Sequence, residues 1–226
     1  MTTTVTATLP DRLGGVLVEA RAVVSGRPVV VKTLADHFSG DTLRPVRFLR
    51  AAELGMRLSH PNVVRILEAG VDGRPYVVME HVDGESLAER TQRCGRLSTA
   101  ETLTLATHLA AGLAHAHANG VVHGALGPHS IVLGADGVVR IGDFGFARFM
   151  DEAERPGTAE DVFGLAMVLR HTGAHDLPPG LRALIDAAAA DPSVRPSAFD
   201  VFHQVVTLTG PAEAWLPPAG VRLADH

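Results

Sequence analysis

Few residues in this sequence could do chemistry, and the first of them is the chain's only lysine. The 20 basic residues comprise Lys32 and 19 arginines, and arginine does not replace lysine where a compact point charge is needed. Lys32 follows a β-branched run at 29–31, which predicts a strand. Imidazole for a metal or for proton transfer could come from four clustered histidines, His115, His117, His123 and His129.

The segment 121–148, VVHGALGPHSIVLGADGVVRIGDFGFAR, resembles the catalytic core of a protein kinase whose chemistry has been removed. The family pattern is H-R-D-L-K-P-x-N, then a hairpin, then D-F-G, and His123 and Asp143 stand in register with it. Phosphoryl transfer needs a carboxylate at the substrate hydroxyl and cations at the phosphate. The catalytic Asp, the phosphate-contacting Lys and the metal-binding Asn are replaced by Ala125, Gly127 and Ser130. The resemblance therefore implies a degenerate pseudokinase, with no catalytic residue.

Other segments resemble the same family in order, in the style of bacterial Ser/Thr kinases. They correspond to the nucleotide-lysine strand, the αC helix with its turn, strand five with the hinge, helix αE, the start of αF and the D-P-x-x-R-P turn, at 26–32, 47–64, 75–82, 98–119, 161–165 and 191–196. The implied fold is α+β and two-lobed, with a β-rich N-lobe and a shortened helical C-lobe. The expected divisions are a flexible leader, the N-lobe, the C-lobe and a proline-containing tail, at 1–9, 10–82, 83–209 and 210–226.

Local patterns agree with this fold without depending on it. Ser98 and Glu101 form a capping box, which predicts a helix start. The pairs Asp72-Gly73 and Asp136-Gly137 lie between apolar runs and predict hairpins. Pro178-Pro179 predicts the start of a later helix.

The resemblance implies a nucleotide site in which a lysine contacts phosphate and an apolar pocket holds adenine. Its implied residues are Lys32, Val30, Met79, Glu80, Val82, Val132 and Asp143. Of the two magnesium ligands that the resemblance implies, Asp143 is kept. Ser130 stands at the position of the other and is a poor ligand beside the usual amide. ATP, with or without Mg, is the cofactor that this site would take.

Two features of the N-lobe argue against strong nucleotide binding. The αC position that pairs with the lysine in the family holds Ala51, and Glu53 lies about 200° further round the helix, facing away. Of the glycine-rich loop only Gly14 and Gly15 remain, although such a loop needs glycines for close backbone approach to phosphate.

The internal packing column of a kinase falls on Gly55, Ile66, His123 and Phe144. A glycine at the αC position is expected to leave a gap that costs about 2–5 kcal/mol unless neighbours fill it. The sequence therefore predicts that αC is displaced or differently packed.

The half of the site that would receive a peptide is shortened. Only 15 residues separate Gly145 from Asp161, and the A-P-E motif is absent. Arg195 thereby loses its implied partner, and the carboxylates that could replace it are Glu152, Glu154 and Glu160.

Composition sets the outer limits. A chain of 226 residues with 46% hydrophobic residues can bury a full core. A net charge of -5 argues against nucleic acid, which requires a cationic face. One cysteine, Cys94, fits a reducing compartment. With no signal pattern and no apolar run of 18 residues, the expected location is cytoplasmic.

Three further hypotheses concern individual residues. A metal site is disfavoured because His115 and His117 do not share a helix face. His129 could act as a substitute base. The leader could be a phospho-acceptor that recruits a phosphothreonine-binding domain, through Thr2, Thr3, Thr4, Thr6 and Thr8.

The favoured interpretation is a catalytically inactive kinase-like module that binds a protein partner in Ser/Thr phosphorylation signalling. The partner would be an active kinase or a phosphothreonine-binding signalling protein. Two alternatives stay open: an ATP-binding switch that responds to nucleotide without transfer, and a weakly active, atypical Ser/Thr kinase.

Overall fold

The structure is a computed structural model that describes residues 3–9, 15–22, 26–34, 43–146 and 157–209. The strands are β1 Thr3–Leu9, β2 Gly15–Ala22, β3 Pro28–Leu34, β4 Ile66–Asp72, β5 Arg74–Glu80, β6 Gly84–Ser86, β7 Ile131–Gly134 and β8 Val139–Ile141. The helices are α1 Arg44–Gly55, α2 Leu87–Cys94, α3 Thr99–Ala118, α4 Thr158–Thr172, α5 Pro179–Ala188 and α6 Ala198–Thr209.

A five-stranded antiparallel sheet forms the N-lobe, with the order β1-β2-β3-β5-β4. Helix α1 packs on one face, where Phe48 and Ala52 are fully buried beside Val77 and Met79. Because side chains of a strand alternate between faces, Val30 and Lys32 of β3 lie on this α1 side of the sheet. The predicted β-rich lobe is confirmed.

The structure differs from the flexible leader predicted at 1–9, because residues 3–9 form β1. Thr3 pairs with Ala22 and Leu9 with Leu17 at the edge of the sheet. Alternating β-branched residues favour an extended strand, and the pairing with β2 supplies the backbone hydrogen bonds. The N-lobe therefore begins within the presumed leader. Four of the five threonines of the phospho-acceptor hypothesis lie in this paired strand, and the hypothesis stays a prediction.

Both predicted hairpins are present. Asp72 and Arg74 pair across the turn at Gly73, which has a φ of +67°. The turn before β8 contains Gly137, with a φ of +79°. Strands β7 and β8 join β6 in a small three-stranded sheet. Strand β6 follows the hinge at 80–82, and β7 follows the segment 123–130, which is called the catalytic loop below.

The C-lobe is built around α3, whose Leu105, Leu109 and Leu113 are completely buried. Its predicted capping box is present: the Ser98 amide donates to Glu101 Oε2 at 2.6 Å, and the Glu101 amide donates to Ser98 Oγ at 3.3 Å. Helices α4, α5 and α6 complete this core through the buried residues Val162, Leu165, Leu169, Leu181, Leu184, Val201 and Val205. Within the described residues, no helix combines the length and apolar character that a membrane span needs. The proline-containing tail at 210–226 lies outside the described residues.

Candidate nucleotide and catalytic site

Lys32 is paired with Asp143 across the cleft between the lobes. The ammonium Nζ lies 2.7 Å from Asp143 Oδ1 and 5.0 Å from the centre of the Phe146 ring. The lysine side chain is 1% exposed and the carboxylate 24% exposed. A buried ion is tolerated only when it is paired and hydrogen-bonded, so this contact satisfies a charge that the N-lobe sheet could not hold alone.

The helix α1 offers this lysine no carboxylate, as the sequence predicts. Ala51 is buried at the expected position, and Glu53 is exposed. Helix α1 lies close to the D-F-G turn at Ala51. A Cβ added to Gly145 would lie 3.3 Å from the Ala51 carbonyl oxygen. Among the described residues, Asp143 supplies the carboxylate that pairs with Lys32.

The gap expected at Gly55 is filled by a neighbouring side chain, so the column is packed differently there, and a displacement of αC stays a prediction. A Cβ on Gly55 would lie 2.6 Å from Ile66 Cδ1 and 3.5 Å from the Phe144 carbonyl oxygen. The isoleucine methyl thus occupies the space that a larger side chain would fill. Below it, the rings of His123 and Phe144 pack edge to face, with centroids 5.1 Å apart. The column is continuous because its neighbours have closed around the glycine.

The catalytic loop keeps a complete framework, centred on the buried Asp161 at the start of α4. Its Oδ2 accepts hydrogen bonds from the His123 amide and from His117 Nε2, both at 2.8 Å, and its Oδ1 accepts one from the Gly124 amide at 2.7 Å. The sequence marks Asp161 only as the start of a helix, because its three partners lie at least 37 residues away. This carboxylate fixes where the loop begins.

His123 is held as a neutral ring. Its Nδ1 accepts from the Ala125 amide at 3.2 Å, so Nε2 carries the proton and donates to the Gly142 carbonyl at 2.9 Å. Burial lowers the pKa of His123, which agrees with this neutral state. The ring therefore links the catalytic loop to the D-F-G turn and is not a free base.

Three positions of the loop hold residues that differ from the reacting groups of the family pattern. Ala125 is exposed and offers a methyl group where a base is needed. At Gly127 an added Cβ would meet no atom within 4 Å, so the site of the missing cation is open space. Ser130 Oγ donates to the Gly127 carbonyl at 3.0 Å and accepts from the Gly127 amide at 3.3 Å. His129 is exposed on the same turn, and its role as a substitute base stays a prediction.

A kinase-type site implies a magnesium ion, and only part of the ligand set for one is present. Asp143 Oδ1 is engaged by Lys32, and the Ser130 hydroxyl is committed to its turn. Magnesium demands near-octahedral oxygen ligands, usually with one or two free carboxylates. Across the described parts of the chain, no group of three His, Cys, Asp or Glu side chains is placed to hold a metal ion.

The implied adenine pocket is assembled in part. Val30 and Met79 are register partners on β3 and β5 and belong to one apolar cluster. Val132 lies on the neighbouring small sheet. At the hinge, Glu80 is turned back on β4: its amide donates to the Arg65 carbonyl, and its Oε1 accepts from the Arg65 amide, both at 2.9 Å. Lys32 and Asp143 are brought together, and a nucleotide role for all the residues of this site, including Val82, stays a prediction.

Arg195 forms hydrogen bonds with backbone carbonyl groups, where the family pattern implies a carboxylate partner. It donates to the Ala159 carbonyl at 2.5 Å and to the Ala190 carbonyl at 2.7 Å, and its guanidinium lies 5.2 Å from the Phe163 ring centre. Glu160 is not the substitute that the sequence allows, since its Oε2 accepts from the Gly157 amide at the start of α4. The other two candidates, Glu152 and Glu154, lie outside the described residues.

Comparison with known proteins gives one consistent result. The profile of the family described as "Protein kinase domain" matches residues 13–166. A probable serine/threonine-protein kinase of Clostridium acetobutylicum is 32% identical over 173 residues, covering 75% of this chain and 26% of that protein. The serine/threonine-protein kinase PknD of Mycobacterium tuberculosis is 28% identical over 250 residues, covering 94% of this chain and 37% of that protein.

Solved structures agree at the level of fold. The kinase domain of Mycobacterium tuberculosis PknI superposes with a TM-score of 0.75 at 22% identity, over 92% of this chain and 96% of that domain. The chain spans 26% of the Clostridium relative and 37% of PknD, so those proteins contain much that has no counterpart here.

Proposed function

Because this chain belongs to the protein kinase domain family, we propose that it is a pseudokinase, which does not transfer phosphate and acts by binding another protein of Ser/Thr phosphorylation signalling. An active kinase is the partner we favour. The observation that carries the proposal is the catalytic loop, whose framework is retained while its reacting groups are missing.

The size of the loss supports inactivity. General acid–base help is typically worth 10²–10⁴ in rate, and Ala125 supplies none. Gly127 leaves open space where the family pattern has a lysine, so the transferred phosphate lacks that cation. Electrostatic stabilisation of developing charge is usually the largest single contribution to catalysis. A loop that keeps its three bonds to Asp161 without these groups retains a shape, and a shape is what a binding partner recognises.

The names of the relatives support the setting of this proposal. Both curated relatives are named serine/threonine-protein kinases, which favours phosphorylation signalling as the context. Transfer itself belongs to those proteins. This chain keeps the fold, but three of the groups that transfer needs are replaced by Ala125, Gly127 and Ser130.

A radiolabelled phosphotransfer assay tests the proposal. We expect the parent to transfer no more phosphate than its Asp143→Asn variant, with a generic basic protein as acceptor. The matched reversal is Ala125→Asp, Gly127→Lys and Ser130→Asn, and the open space at Gly127 can accept the lysine. Transfer by the parent that disappears in Asp143→Asn would overturn the proposal in favour of a weakly active, atypical Ser/Thr kinase.

A nucleotide-responsive switch is the second candidate, and the Lys32–Asp143 contact favours it. The lone lysine and the surviving carboxylate stand together at the phosphate end of the cleft, 2.7 Å apart. A nucleotide phosphate that approached Lys32 would compete with Asp143 for the ammonium. Binding would therefore be coupled to the ion pair that joins the lobes.

Thermal unfolding with ATP and ADP, each with and without Mg²⁺, separates the two candidates. A ligand at 100 times its Kd stabilises the folded chain by about 2.7 kcal/mol, which is readily measured. A shift in the parent that is lost in Lys32→Met would favour the switch. Since the variant itself melts lower, the ligand-induced shifts are compared, not the melting temperatures. No shift in the parent would favour the protein-binding module.

A further inference from the structure

Three histidines meet where the N-lobe is fastened to the C-lobe. His60 lies in the turn 59–62 between α1 and β4, and His108 and His115 lie seven residues apart on α3. A separation of seven residues places them on one helix face. The rings of His60 and His115 are stacked, with centroids 5.0 Å apart and planes 26° apart. We call these three residues the histidine joint.

Each ring of the histidine joint accepts a hydrogen bond from a backbone amide. The Asn62 amide donates to His60 Nδ1 at 3.1 Å. The Ser59 amide donates to His115 Nε2 at 3.4 Å, and the Val139 amide donates to His108 Nδ1 at 3.2 Å. A protonated imidazole has two donors and no acceptor. These bonds therefore exist only while the rings are neutral.

The amides in these bonds belong to the contact between the lobes. Asn62 Nδ2 donates to the Val139 carbonyl at 2.9 Å, and the Ile141 amide donates to the Asn62 carbonyl at 3.0 Å. Helix α3 comes so close that a Cβ on Gly112 would lie 2.8 Å from the Asn62 carbonyl oxygen. The turn 59–62 is thus fixed to α3 and β8 at the same place where the three rings must stay neutral.

We propose that the histidine joint is a contact between the lobes that acid breaks. At neutral pH it holds the turn 59–62 against α3 and β8, and on acidification His60 and His108 take up protons and release it. The joint acts in this way whether or not the chain transfers phosphate.

The charges around the joint favour this behaviour. Arg140 of β8 faces His108 and is paired with Asp136. Beside His60 is a pocket of about 210 Å³ that is bordered by Arg65, Glu80 and Arg140. The Glu80 carboxylate accepts from the Arg65 amide. No hydrogen bond to a carboxylate is seen for the three rings within the described residues, so a proton taken up there gains no paired anion.

The pKa directions agree with the geometry. Burial lowers the pKa of His60, and His115 and His108 lower it further. Burial also lowers the pKa of His108, with a smaller effect from Arg140. A histidine with a lowered folded pKa contributes full stability above its unfolded value of 6.5. That contribution is lost as the pH falls below 6.5, because the opened state then binds more protons.

Backbone amide exchange, measured by NMR between pH 7.5 and 5.5 and corrected for intrinsic rates, tests the proposal. The reporters are the amides of Ser59, Asn62 and Val139. Below pH 6.5 we expect their protection to fall by up to about tenfold per pH unit for each proton taken up on opening. Protection that does not depend on pH would overturn the proposal.

A matched variant keeps the acceptors and removes the titration. In His60→Asn and His108→Asn the amide oxygen takes the place of Nδ1, and in His115→Gln it takes the place of Nε2. We expect the triple variant to keep its protection at pH 5.5, while the control His175→Gln, at an exposed position, behaves as the parent does. An equal loss in parent and triple variant would exclude the joint as the cause. If the triple variant does not fold, His108→Asn with the Val139 amide as sole reporter gives the same decision.

Discussion

The Lys32–Asp143 ion pair allows a quantitative test of how the lobes are held together. Replacing Lys32 by methionine keeps the apolar stem and removes the ammonium. Removing one member of a fully buried pair costs about 3–5 kcal/mol. Asp143 keeps 24% of its side chain exposed, so water solvates part of the stranded charge. We therefore expect a loss of about 2–3 kcal/mol in the free energy of unfolding, which is below the range for a fully buried pair.

The partner variant must respect the backbone at Asp143, whose φ is +59°. Asparagine tolerates this left-handed conformation, whereas most other residues would be strained. A double-mutant cycle with Lys32→Met and Asp143→Asn isolates the pairwise free energy. We expect a coupling of about 2 kcal/mol, as found for contacting residues, measured by urea unfolding followed with circular dichroism.

An exposed pair of similar length provides the control. Arg170 and Asp186 are 2.6 Å apart, but their side chains are 43% and 64% exposed. Exposed pairs contribute about 0–1 kcal/mol, so a cycle with Arg170→Met and Asp186→Asn should give a much smaller coupling. If the Lys32–Asp143 coupling is no larger than that of this pair, the ion pair does not hold the lobes and the reasoning is refuted.

Three further outcomes follow from packing and capping. Asp161→Asn should lower the free energy of unfolding by more than about 2 kcal/mol, because one amide oxygen cannot accept three hydrogen bonds; a near-neutral result in urea unfolding would contradict this. Ser98→Ala should cost about 1 kcal/mol through loss of the capping box, measured in the same way. Gly55→Ala should be close to neutral in the parent, since its methyl displaces Ile66 Cδ1, but should stabilise an Ile66→Val background by about 0.5 kcal/mol through helix propensity. Equal effects in the two backgrounds would show that the isoleucine does not fill the column.

How much of the structure can be predicted from the sequence depends on how far apart in the chain the interacting residues lie. The capping box at Ser98 and the hairpin glycines act within a few residues, and both predictions are confirmed. Strand β1 was missed because its threonines gain their structure from pairing with β2, which the local pattern does not show. At Gly55 the sequence predicts a different packing but not the residue that provides it, since Ile66 approaches from another element.

The candidate site divides in the same way. Family motifs identify Lys32 and Asp143 individually, and they predict correctly that Glu53 faces away from the lysine. That Lys32 and Asp143 bond to each other follows only from the three-dimensional arrangement, as does the role of Asp161. The amide bonds to His60 and His108 are likewise invisible in sequence, because histidine there has no distinguishing neighbours.

The Lys32–Asp143 contact also bears on the order of folding. Its members are 111 residues apart, and contacts of such long range carry a large loop-closure entropy that local structure must first offset. The strands of the N-lobe and the helices of the C-lobe can form before this contact closes between them. Interactions that form after the transition state affect the unfolding rate more than the folding rate. The ion pair is therefore expected to act mainly on the lifetime of the closed two-lobed state, and little on the speed with which the chain reaches it.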